Sequence, residues 1–106
     1  MWNEAGPVHP GEILHTEFLE RFGISQYRIA RAINVPPGRI NDIVHGKRAI
    51  SIDTGLRLAR ALGVADMFWI NLQACYDADQ ARGQIAAQLR IIEPIVRSHR
   101  ESVHRV

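Results

Sequence analysis

Apolar residues recur at helical spacing along most of this chain, in five or six blocks separated by Gly, Asn and Pro. Ile13, Leu14, Phe18 and Leu19 form the first stripe, opened by His9-Pro10-Gly11-Glu12 and closed by Gly23. Pro10 suits the first helical position, where its missing N–H costs nothing, and Glu12 complements the helix dipole. Ile29, Ala30 and Ile33 form the second stripe, with Ser25 as N-cap. Asn34 falls at the following turn and tolerates the left-handed conformation such a turn needs. Pro36-Pro37 opens a third helix with Ile40, Ile43 and Val44 inward and Gly46 at its end. Ser51 or Asp53 caps a fourth, with Leu56, Ala59 and Leu62 inward and Gly63 as its stop. Asp66 begins a fifth, whose Phe68, Trp69, Leu72 and Tyr76 share one side as core. Asp77 to Gly83 predicts a break, and a last helix then carries Ala81, Ile85, Leu89 and Ile92 before Pro94.

The expected organisation is all-α: an irregular arm over residues 1–8, a five-helix domain over 9–77, and a helical extension and tail over 78–106 that frays from Ser98. Five helices already close a core, so the apolar side of the extension either packs on a partner or second subunit, or folds back.

The second and third helices have a particular relation. A small residue at Ala30, a turn four residues later, and inward Ile40 and Ile43 make the spacing of a helix-turn-helix, whose second helix enters the DNA major groove. Gly38, Arg39, Asn41, Asp42 and His45 are left on the other side. Charge strengthens this reading. The chain has 13 Lys and Arg against 11 Asp and Glu. From Arg21 to Arg60, however, there are eight basic residues and two acidic ones, so this window is +6 and the remainder −4. Positive charge gathered around a helix pair is the footprint of a phosphate-binding face. Lys47 and Arg48, in the loop after the third helix, are placed to pair with phosphates beside the groove. Arg57 and Arg60 lie on a later helix and read as ordinary solvated cations.

Other chemistry is not indicated. The single Cys75 has no disulfide partner, fits a reducing cytoplasm and reads as a packed thiol. No apolar run approaches a membrane span, so a soluble cytoplasmic protein is expected. The five histidines offer no zinc spacing, and no phosphate loop or nucleophile elbow occurs. No catalytic residue, metal or cofactor is expected, and the chain does not read as an enzyme.

HPGEIL at 9–14, SQYRIARAI at 25–33, VPPGRINDIVHGKRAIS at 35–51, TGLRLARALG at 54–63 and FWINLQACYD at 68–77 closely resemble the HigA-type antitoxins, or VapI group. These are part of the xenobiotic-response-element (lambda-repressor-like) helix-turn-helix superfamily. The resemblance runs from about His9 to Asp77. It implies a homodimer that binds double-stranded operator DNA in its own promoter and neutralises a small RelE/HigB-like mRNA-cleaving toxin. It also implies that Gln26 and Tyr27, with Arg28 beside them, approach the DNA backbone, that Arg39, Asn41 and Asp42 face the groove, and that Lys47 and Arg48 contact phosphate. The chemistry agrees: Arg39 can pair bidentately with guanine and Asn41 with adenine. Asp42 either accepts from a cytosine amino group or holds Arg39. Two positions depart from the pattern: Gly38 stands where relatives often carry a basic residue, and Ala65 replaces a capping Ser that Asp66 compensates in part. A free-standing repressor without a toxin, and an interaction module that has lost DNA binding, share these features.

Overall fold

The computed structural model describes residues 2–3 and 6–96, and the tail from Ser98, with His99 and His104, lies outside the described residues. The order is β1 (Trp2–Asn3), β2 (Gly6–Pro7), α1 (Pro10–Ile13) running into a π-helical stretch (Leu14–Glu20), α2 (Gln26–Ile33), α3 (Pro37–Val44), α4 (Ile52–Leu62), α5 (Phe68–Gln84) and α6 (Ala86–Arg90). The arm expected to be irregular forms a two-residue antiparallel ladder, with Trp2 opposite Pro7 and Asn3 opposite Gly6. Its second strand lies against α5.

The first helix begins as predicted at Pro10, and its N-cap is His9. The His9 Nδ1 accepts from the Gly11 N–H at 2.9 Å, so the cap needs an unprotonated Nδ1. Burial lowers the pKa of this imidazole from 6.5, although Asp77 and Glu12 pull it upward. The helix then widens. Thr16 turns its hydroxyl back on the Glu12 carbonyl at 2.9 Å, a contact that competes with the backbone ladder. Over the π-helical stretch, residues five apart share a side. Leu14 and Leu19 are accordingly both buried.

A single core gathers Leu14, Ile29, Ala30, Ile40, Ile43, Leu58, Ala59 and Trp69 among its thirteen buried apolar residues. Trp69 is fully buried between Phe18 and Phe68, with ring centroids at 5.2 and 4.9 Å. The aromatic stripe of α5 is therefore core packing, as its spacing suggested. Gly11 lets α1 reach α3: a Cβ there would stand 1.7 Å from the Ile43 carbonyl oxygen.

Several expectations need correction. In α4, Leu56 is exposed and Leu58 fills the core, because Thr54, Gly55, Leu58 and Ala59 form the buried side. The fifth helix starts at Phe68, and no side chain caps it. It continues through Asp77 and Gly83 to Gln84, so the expected break falls instead at Ile85. Cys75 is exposed: Trp69 and Gln73, four residues apart, set the inward side, and Cys75 points away from it. The described part of the extension, to Val96, does not fold back on the core. Among its residues Ile85, Leu89, Ile91, Ile92, Ile95 and Val96 are exposed, and α6 lies against α5.

Candidate nucleic-acid interface

The α2–α3 pair is built by local chemistry at each of its ends. The Ser25 Oγ accepts from the Arg28 N–H at 3.0 Å and so caps α2. Asn34 terminates it in the left-handed conformation, with φ of 60°. There the Asn34 N–H bonds to the Arg31 carbonyl at 3.2 Å and the Val35 N–H to the Ala30 carbonyl at 3.0 Å. Pro36 then caps α3 and Pro37 is its first helical residue. Ile40 and Ile43 anchor α3 with no exposed surface. At its far end Gly46 takes φ of 73°, the Gly46 N–H bonds to Ile43 and the Lys47 N–H to the Asp42 carbonyl. That double bond turns the chain sharply, so Lys47 and Arg48 stand directly beyond the helix end.

The residues singled out from the sequence are exposed or half-buried on α2, on α3 and in the loop that follows. Gly38 and Asn41 are exposed, and Arg39 and Asp42 are half-buried. Gln26, at the start of α2, accepts from the Asn41 amide: the Nδ2–Oε1 distance is 3.1 Å. This bond leaves the Asn41 Oδ1 and one amide hydrogen free, the two groups an adenine edge pairs with. Tyr27 and Arg28 are exposed. The Tyr27 hydroxyl accepts from Arg31 at 3.2 Å, and that guanidinium lies 5.7 Å from the Tyr27 ring centre. Asp42 is 4.0 Å from Arg48, so its carboxylate sides with the loop cation and not with Arg39. Among the described residues, Arg28, Arg39 and Lys47 make no side-chain hydrogen bond or ion pair.

Two supporting residues escaped the sequence reading. Gln73 is buried on α5; its Oε1 accepts from the Ile50 N–H at 2.8 Å and its Nε2 donates to Asp77 at 2.9 Å. It thereby pins the end of the loop that carries Lys47 and Arg48. Its position four residues after Trp69 was the available signal, since that spacing places a polar side chain on the core side. Arg57 is likewise no free cation: it donates to the Ile33 carbonyl at 2.8 Å and to Asp53 at 2.6 Å, tying α4 to the end of α2. Gln73→Leu keeps the volume but leaves the Ile50 N–H unpaired in the interior. A loss of ~1–3 kcal/mol in unfolding free energy is expected in urea denaturation. An unchanged midpoint would show that the loop does not depend on this bond.

The profile of the Helix-turn-helix family (HTH_3) matches residues 17–68. The chain is 43% identical to Virulence-associated protein I of Dichelobacter nodosus over 88% of its own length and 85% of that protein. It is 30% identical to Antitoxin HigA-1 of Vibrio cholerae over 91% of its length and 90% of that protein. The chain belongs to the HigA antitoxin family of helix-turn-helix proteins. Its fold also superposes on the Pseudomonas aeruginosa antitoxin HigA, solved with the higBA promoter, with a TM-score of 0.79 and 43% identity. The match covers 85% of this chain and 99% of that one.

Within this HigA-type framework the two departures have definite places. A Cβ added at Gly38 would meet nothing within 4 Å, so this position is open to a longer side chain. Ala65 contributes its carbonyl to the Phe68 N–H at 3.0 Å and offers no side-chain cap; Asp66 supplies none either. Among the described residues no group of three or more His, Cys, Asp or Glu is placed to hold a metal. No described helix is long and apolar enough to cross a membrane.

Proposed function

We propose that this chain is the antitoxin of a type II toxin–antitoxin pair and that, as a homodimer, it represses its own promoter. The observation that carries the DNA half is the outer face of α2 and α3. There, Arg28, Arg39 and Lys47 are unpaired among the described residues, and Gln26 holds Asn41 with its adenine-reading groups free. Arg39 and Asn41 read bases, while Gln26, Tyr27, Arg28, Lys47 and Arg48 fix register through phosphates. Asp42 holds Arg48 beside the groove, and Gly38 lets the backbone come close without adding a charge. The exposed Ile85, Leu89 and Ile92 provide apolar surface that a second copy covers, as two-fold operator binding requires. Toxin neutralisation rests on the relatives, two of which are named antitoxins. The domain at 9–77 supplies the DNA face and the extension at 78–106 the association surface. No residue group calls for catalysis, and the protein works in the cytoplasm by occupying its promoter.

Titration of the chain's own upstream DNA with two variants tests this. Arg39→Ala is expected to lose ~1–3 kcal/mol of discrimination at one base pair. Lys47→Ala should weaken binding to every sequence and reduce the slope of log affinity against log salt by about one. Parent-like operator affinity in both variants would overturn the assignment.

A further inference from the structure

We infer that the groove between the π-helical stretch and the start of α5 is the docking surface for a cationic protein that inserts an apolar side chain, the toxin of the pair. The inference rests on the antitoxin reading above and locates its partner.

The groove measures about 620 Å³ and its apolar walls come from Val8, Ile13, Phe18, Phe22 and Phe68. Phe22 leaves 64% of its surface exposed, stacked loosely on Phe18 at 6.5 Å between ring centres. A large aromatic beside a concave apolar surface is the usual form of a protein-binding anchor site. The rim has an acidic excess: Glu12, Glu17 and Arg21 line it, Glu17 is 3.6 Å from Arg21, and Glu12 makes no ion pair among the described residues, so the uncompensated charge is negative.

Charge selects the occupant. A protein that cleaves RNA must present cations to the phosphate backbone, and its inhibitor does best to meet them with carboxylates. Residues 1–24 hold four acidic residues and one basic one, residues 25–60 hold two and seven, and residues 61–106 hold five of each. The α2–α3 face therefore repels a cationic partner and the extension is neutral, which leaves the groove. It shares no residue with the proposed DNA face. Both ligands can then be held at once.

The test uses the full chain and the RelE-like protein encoded beside it, purified apart and recombined in a calorimeter. Phe22→Lys replaces the exposed anchor with a like charge, and Glu12→Gln removes the unpaired carboxylate. Toxin affinity is expected to fall at least tenfold in Phe22→Lys and severalfold in Glu12→Gln, with operator affinity and dimer mass unchanged. Parent-like toxin affinity in both variants overturns the groove while leaving the antitoxin reading intact. A parent chain that does not bind the protein at all overturns both. If Phe22→Lys instead yields monomers by sedimentation, the groove is the seam between copies and the inference is wrong.

Discussion

Gly11→Ala is expected to destabilise the protein by about 3 kcal/mol, near the upper end of what overpacking costs, with a fall in Tm of about 10–20 °C. The reason is the partner it would strike. A Cβ at this position would lie 1.7 Å from the Ile43 oxygen and 2.6 Å from its carbonyl carbon. Both are backbone atoms, so no rotamer change relieves the clash and α1 must move away from α3. The Ile43 carbonyl also accepts the Gly46 N–H in the turn that aims Lys47 and Arg48. Operator affinity should therefore drop even at temperatures where the variant remains folded. Gly38→Ala is the control: its Cβ meets nothing within 4 Å, and replacing a helical glycine should be neutral or gain ~0.5–1 kcal/mol. Thermal melts of the two variants, with an operator titration of Gly11→Ala against the parent, check this. Equal Tm values would show that α1 and α3 do not touch at Gly11 in solution.

The contrast between these two glycines shows what the chain discloses before its structure is known. Helix ends were legible wherever a local rule governs them: Ser25 caps α2, Asn34 is left-handed and Pro37 opens α3. The outward position of Arg39, Asn41 and Asp42 was legible too, since it follows from fixing Ile40 and Ile43 inward. What the periodicity could not provide was anything set by long-range packing. Gly11 reads as one more helix-opening residue until Ile43 is placed against it. Arg57 reads as a solvated cation until its acceptor arrives from 24 positions away, and the spacing that turns Gln73 inward does not disclose its partner 23 positions back. The break expected after Asp77 failed for a related reason: Asp and Gly weaken a helix only modestly, and α5 continues past both. In the first helix the expected stripe of Ile13, Leu14, Phe18 and Leu19 does face the core, but nothing in its period disclosed the π-helical stretch.

Trp69→Ala should produce a stability loss as large, ~3–5 kcal/mol, but with a different functional signature. Trp69 is the largest fully buried side chain, and its indole packs on Phe18 of the π-helical stretch and on Phe68 of its own helix. Truncation removes the indole from both rings and leaves a cavity between the two helical segments. Neither carries a residue proposed to meet DNA. At 25 °C, where the variant is still mostly folded, operator affinity should stay within a fewfold of the parent, while the melting curve moves far to lower temperature. Trp69→Phe separates the causes of the loss. The Trp69 Nε1 is buried and makes no hydrogen bond among the described residues, so it already costs ~1–3 kcal/mol that phenylalanine does not incur. Phenylalanine also retains part of the ring packing, and its net cost should stay below ~2 kcal/mol. Denaturant titrations of both variants, paired with operator binding at 25 °C, provide the comparison. A loss for Phe well above ~2 kcal/mol would mean that the indole N–H is satisfied in solution, and an early collapse of operator affinity would mean that the core and the DNA face unfold as one unit.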